Sequence, residues 1–309
     1  MCHPDELVSV PVPVVSIRPV PLPAPGRDED LRVRVSAPTT GDGLPVIVFS
    51  HGFGGSLDSY APLVDFWAAH GFVVVQPTHL DSRTLDVPPD DPRHPLIWRF
   101  RVDDLIRVVD HLDRIEAAVP GLAGRIDRSR VAAAGHSWGA QTASMLLGAR
   151  VLDARGVPGE DLADPRIRAG VLLAAPGTGG ADLTPFAAEH LSFMNPDFTG
   201  MTTPALVVAG DKDRSALTVR GPEWFTDPYF LSPGPKSLLT LFGAEHSLGG
   251  ISGYDSTETT DESPERVALV QRLSWAFLRS TLYPADPSWS VASAKLTERT
   301  DPLGHVEAR

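Results

Sequence analysis

The chain has 309 residues, 42% hydrophobic and 21% charged, with a formal net charge of -12. This is the balance of a globular protein able to bury a large core, and with no block of Lys and Arg to offset the acidic charge it excludes a nucleic-acid partner. The single cysteine, Cys2, excludes an intrachain disulfide and a zinc site built on cysteine.

The opening Met-Cys-His-Pro-Asp-Glu lacks the basic start of a leader, and the apolar stretch from Val8 to Pro23 is broken by prolines, so a cytoplasmic location is expected. No apolar run approaches the length of a membrane span. From Val8 to Pro25 proline recurs every second or third residue, which fits an edge strand or extended arm. Leu31 to Ser36 alternates apolar and polar residues as a half-buried strand does. Leu44 to Phe49 is a continuous apolar run of the kind buried on both faces. It empties into Ser50-His51-Gly52-Phe53-Gly54-Gly55. Such a glycine-rich loop can aim backbone N–H groups at a point where negative charge develops during acyl transfer. It contains no Gly-Lys-Ser/Thr and no full Gly-x-Gly-x-x-Gly, the patterns that cradle phosphate.

Leu57 to His70 carries apolar residues at helical spacing and stops at Gly71. Phe72 to Val75 reads as the next buried strand, and the proline-rich Thr78 to Pro95 as a loop. That loop contains His79, Asp81 and His94, whose spacing matches no compact ligand motif, so no metal or cofactor is expected. Ile97 to Val119 predicts one long helix with Leu105, Val108, Val109 and Leu112 as its buried stripe. Asp127 to Ala134 leads into Gly135-His136-Ser137-Trp138-Gly139. A Gly-x-Ser-x-Gly pattern between a strand and a helix is a nucleophile elbow, in which the serine takes a strained conformation and its neighbours must be glycine. The helix behind it is predicted over Trp138 to Val151. Strands follow at Ile167 to Ala175, Pro204 to Ala209 and Ser237 to Phe242, and Ser263-Pro264-Glu265 opens a closing amphipathic helix that runs to Leu282. Strands alternating with helices make a mostly parallel sheet covered on both faces. The expected organisation is a Pro-rich arm with an edge strand over 1–29, a single α/β domain over 30–282 and a polar tail over 283–309, loosely ordered or wrapped over the body.

A serine hydroxyl needs a neutral imidazole to take its proton, and the imidazole needs a carboxylate to hold its tautomer. In an open parallel sheet these partners belong at the C-terminal ends of later strands. Gly210-Asp211-Lys212-Asp213 follows one such strand, offering Asp213 or Asp211, with Asp213 preferred because Gly210 permits a turn that brings it back to the sheet edge. Of ten histidines, His246 alone follows the acid at a strand mouth. The order Ser137, Asp213, His246 is the one expected when these elements build one hydrolase sheet.

With Phe-Ser-His-Gly-Phe-Gly-Gly, His-Gly-Phe-Val-Val-Val and Gly-His-Ser-Trp-Gly in place, the chain resembles the α/β-hydrolases, over roughly residues 30 to 282. It resembles the branch containing dienelactone hydrolases, chlorophyllases, polyester hydrolases and intracellular platelet-activating-factor acetylhydrolases. The resemblance implies that the backbone N–H groups of Phe53 and Trp138 form the oxyanion hole. Two departures stand out: serine replaces the cysteine of dienelactone hydrolases, and the leader and disulfide usual in secreted polyester hydrolases are absent. The short stretch between Ala175 and Pro204 leaves room for at most a small cap, so the cleft should be fairly open. Phe53, Trp138 and the aromatic segment Pro222 to Phe230 (Trp224, Phe225, Tyr229, Phe230) are expected around it, with Phe193, Met194, Phe198 and Met201 as further candidates. The expected activity is serine carboxylic-ester hydrolysis of an apolar or bulky small-molecule ester. The alternatives are acyl transfer on the same fold and a binding or receptor protein that keeps the fold without the chemistry.

Overall fold

In a computed structural model the described residues are 9–88, 90–253, 259–298, 300 and 302–309; Cys2 and the opening segment lie outside them. Nine strands form one sheet in the order β1-β2-β4-β3-β5-β7-β9-β10-β11. They are β1 (Val14–Leu22), β2 (Leu31–Pro38), β3 (Leu44–Ser50), β4 (Val73–Pro77), β5 (Ile126–His136), β7 (Ile167–Leu173), β9 (Ala205–Gly210), β10 (Lys236–Leu241) and β11 (Gly304–Ala308). The six from β4 to β10 run parallel, while β2 is antiparallel to β1 and β4, and β11 to β10. The residue pattern explains this. β3, β4 and β9 are buried along their whole length, as continuous apolar runs demand. β1, rich in proline and half exposed, sits at an edge where missing N–H donors cost little.

Helices α1 (Ala61–Ala69) and α7 (Pro264–Leu282) pack together on one face, and α2 (Ile97–Asp110) and α4 (Trp138–Leu146) on the other. The indole of Trp67 on α1 donates to Ser274 Oγ on α7 at 3.0 Å, so the buried hydroxyl and N–H satisfy each other. Ser263 caps α7 by accepting from the Arg266 N–H.

The structure departs from the sequence reading in two helices. The long helix is two, α2 and α3 (Leu112–Ala118), because His111 leaves helical dihedrals (φ -113°, ψ 27°) and turns its ring N–H onto the Arg107 carbonyl at 3.1 Å. The predicted stripe Leu105, Val108, Val109, Leu112 is buried nonetheless. Helix α4 stops at Leu146, short of Val151, because Gly148 adopts φ +113°. The chain then pairs as β6 (Arg150–Val151) with β8 (Pro196–Asp197) in a separate two-stranded sheet. Between β7 and β9 the connection carries one short helix, α5 (Pro185–His190), and near the cleft α6 (Asp227–Phe230) follows a 3₁₀ turn. In the tail, α8 (Ser288–Thr297) packs Trp289 edge-on against Phe277, and β11 completes the sheet. β1 and β11, which lie outside 30–282, pair with β2 and β10 at the two rims of the sheet.

Ser137 sits at φ 56°, ψ -122°, between the end of β5 and the start of α4. That turn presses α4 so close to β3 that a Cβ on Gly139 would stand 2.6 Å from the His51 carbonyl oxygen and nearer still to that of Ser50, while one on Gly135 would stand 2.8 Å from the Ala140 nitrogen. Gly139→Ala is therefore expected to cost about 3 kcal/mol of stability, read as a lowered urea midpoint at unchanged m-value.

Candidate active site

The three residues at the strand mouths meet. Ser137 Oγ lies 2.9 Å from His246 Nε2, and His246 Nδ1 lies 2.9 and 3.2 Å from the two carboxylate oxygens of Asp213. Asp213 is fully buried, whereas the His246 side chain is 41% exposed and opens on the cleft. A carboxylate only accepts, so Nδ1–H faces Asp213 and Nε2 is left to accept from the serine. Asp213 comes back to the sheet through a turn in which its N–H donates to the Gly210 carbonyl at 3.2 Å. Asp211 instead accepts the Gly243 N–H at 2.7 Å and ties the ends of β9 and β10 together. Such a chain lets a neutral imidazole remove the hydroxyl proton and a carboxylate stabilise the imidazolium.

The family resemblance implies the backbone N–H groups of Phe53 and Trp138 as oxyanion donors. In the loop after β3, Gly52 N–H donates to the Tyr60 hydroxyl at 3.0 Å and Gly54 N–H to Asp81 at 3.2 Å. Phe53 N–H between them has no backbone acceptor among the described residues. Trp138, as the first residue of α4, has no carbonyl one turn back for its own N–H. The rings of Phe53 and Trp138 meet at a tilt of 47° with centroids 4.6 Å apart, and both line the cleft with Ser137.

Beneath this loop lies a dry polar network. Arg101, 1% exposed, donates to both oxygens of Asp81 at 2.6 and 2.7 Å, to Thr142 Oγ1 at 3.1 Å, to Ser50 Oγ and to the His51 carbonyl. Ser50 Oγ lies 2.9 Å from His79 Nε2, whose Nδ1 lies 2.9 Å from Asp104, itself paired with Arg27. This second Ser-His-Asp chain is sealed from solvent, so it braces the loop and meets no substrate. His79, Asp81 and His94 thus serve separate contacts, His94 donating to the Pro88 carbonyl at 2.8 Å. Among the described residues no group of three or more His, Cys, Asp or Glu is placed to hold a metal.

The cleft above Ser137 has a volume of about 1240 Å³. Phe193, Trp224 and Phe225 line it, and Phe225 stands 5.5 Å from the His246 ring. Met194 and Phe198 do not; they are buried in the core with Met201, because the chain turns inward after Phe193 to pair as β8. Sequence reasoning missed Phe186, Leu217, Leu80 and Ile97, which complete the walls. Phe186 stands exposed on α5, and nothing in the local sequence pattern marked any of the four for the cleft.

Burial pushes His136 down to about 3, with nearby His246 adding to the shift, and His51 down to about 4, with Arg101 adding to it. His79 is held well below the usual histidine range by burial and Arg101. Burial pushes Asp104 the other way, up to about 6, against Arg27 and Arg107. Once unfolded, the three histidines bind protons near pH 6.5, so below that pH the unfolded chain holds three protons the folded chain refuses. Asp104 holds one that the unfolded chain releases. The net of about two near pH 5 makes stability fall by about 3 kcal/mol per pH unit as pH drops. Urea midpoints should therefore decline steeply between about pH 6.5 and 4.5 and be nearly flat from pH 7 to 8.

Residues 28–150, less than half of the chain, match the family model described as Chlorophyllase. The matched stretch contains the glycine-rich loop, the elbow and all of α4. A match of this kind implies a hydrolase of the esterase type acting on a small-molecule ester. No helix among the described residues is long and apolar enough to cross a membrane. Motifs, the mostly parallel sheet and the partial family match agree on an α/β architecture of the α/β-hydrolase kind.

Proposed function

We propose that this protein is a serine carboxylic-ester hydrolase that works through an acyl-enzyme on bulky apolar esters. The observation that carries the reading is the unbroken hydrogen-bonded chain from Ser137 through His246 to buried Asp213 at the floor of the cleft. Ser137 Oγ attacks the ester carbonyl while His246 Nε2 takes its proton. The oxyanion is held by the N–H groups of Phe53 and Trp138, preorganised donors aimed where the charge develops. His246 returns the proton to the leaving alcohol, and water repeats the sequence to free the acid. Asp213 keeps the imidazole in the tautomer that can accept.

The cleft suits a large substrate. Its volume exceeds the range of about 300–1,000 Å³ usual for small-ligand sites. Phe53, Trp138, Phe186, Phe193, Trp224 and Phe225 supply aromatic walls, against which each added methylene is worth about 0.8 kcal/mol.

Intact-mass labelling with a fluorophosphonate is expected to add one adduct to the wild type and none to Ser137→Ala. Turnover of p-nitrophenyl esters should favour octanoate over acetate by about tenfold or more in kcat/KM. A folded wild type that neither labels nor turns over would overturn the proposal. Asp213→Asn, which holds the wrong tautomer, is expected to lower kcat by about ten-thousandfold with the fold intact.

A further inference from the structure

His136 fills the variable position between Gly135 and Ser137, and nothing in the chemistry above uses it. Its Nε2 lies 2.8 Å from the backbone carbonyl oxygen of His246. A carbonyl only accepts, so Nε2 carries the proton and Nδ1 is an acceptor. The Tyr60 hydroxyl, 2.8 Å away, donates to that Nδ1 and accepts the Gly52 N–H at 3.0 Å. Tyr60 is 4% exposed and His136 5%, and neither lines the cleft. The chain Gly52, Tyr60, His136, His246 therefore passes beneath the elbow. One end is the residue before Phe53, and the other is the backbone of the residue that carries the imidazole.

The local structure is built around this contact. A Cβ on Gly52 would stand 2.8 Å from the Tyr60 oxygen, so glycine is what lets the loop reach the hydroxyl. Tyr60 adopts φ 66°, an uncommon conformation for a bulky side chain. It is held there by its N–H bond to the Ser252 carbonyl at 2.8 Å and by ring packing on Phe49 at 4.9 Å. Strain of this kind persists only where the surroundings fix it, and it concentrates at working sites. A buried, neutral His136 keeps one donor and one acceptor at every pH where the site operates.

We propose that Tyr60 and His136 are positioning residues that lock the oxyanion donor loop to the His246 backbone, so that the two halves of the site on either side of Ser137 hold one geometry. The proposal rests on the esterase reading above. Tilting either half by a fraction of an ångström removes alignment that only the transition state uses, so the loss falls on kcat and not on KM.

The test uses the full chain: p-nitrophenyl butyrate kinetics, fluorophosphonate labelling rates and thermal unfolding for Tyr60→Phe, His136→Leu, His136→Gln and the Tyr60→Phe/His136→Leu pair. Tyr60→Phe keeps the ring and is expected to lower kcat and the labelling rate by about 10- to 100-fold, with KM within about twofold of wild type. His136→Leu should match it. His136→Gln, whose amide can donate to the His246 carbonyl and accept from Tyr60, should recover to within about fivefold of wild type. The double variant should fall no further than the worse single one, the mark of groups acting as a unit. Unchanged kcat in Tyr60→Phe, His136→Gln as impaired as His136→Leu, or additive losses would each overturn it. Should His136→Leu not fold, Tyr60→Phe and His136→Gln still decide. A wild type without turnover or labelling would instead remove the esterase reading, which keeps the two failures apart.

Discussion

The near-contact between Gly139 and the carbonyls of Ser50 and His51 is the constraint from which the rest of the site follows. It brings the first turn of α4 against the end of β3, which sets the Trp138 N–H and the loop that bears Phe53 on the same side of Ser137. With a larger residue there the strand and the helix would have to separate, and the two N–H groups would separate with them. The positive φ of Ser137 is the other side of the same constraint. It lifts the hydroxyl off the sheet toward His246, and the Ser137 N–H is anchored to the Leu173 carbonyl at 2.9 Å on the neighbouring strand.

Holding a loop in place from below requires polar groups where water cannot reach, and an isolated buried charge is expensive. Here each charge has an opposite partner: Arg101 with Asp81, Arg27 with Asp104. The histidines between them stay neutral and act as two-sided hydrogen-bonding spacers. His51 accepts the His79 backbone N–H at 3.0 Å on one nitrogen and donates to the Gly52 carbonyl at 2.7 Å from the other. The arrangement stiffens the loop without placing net charge beside the serine.

Much of this was legible in the chain because local pattern and tertiary role coincide. The buried strands are apolar runs, the elbow is punctuated by glycines, and the acid and histidine each follow a strand directly. Asp213 could be preferred to Asp211 because a turn at Gly210 sends one back to the sheet. What was not legible depends on distant partners. Nothing in Gly304 to Ala308 says that it pairs with β10, since the bond is made by backbone and its side chains are mostly exposed. Met194 and Phe198 looked like pocket residues because an aromatic segment has no direction until its neighbours are known. The bracing role of Arg27 and Arg101 was hidden for the same reason: Arg101 meets Ser50 and Asp81 through the fold, and sequence spacing carries no trace of it.

The strand that delivers Ser137 is the fifth of nine in the spatial order, with four on each side. Opening of a sheet begins at its rims, where backbone amides are paired on one side only, and spreads inward. β1 and β11, the first and last strands of the chain, are those rims. Slow breathing of this protein therefore starts as far along the sheet as possible from the serine, and the amides of β5 exchange with solvent only when most of the molecule has already come apart.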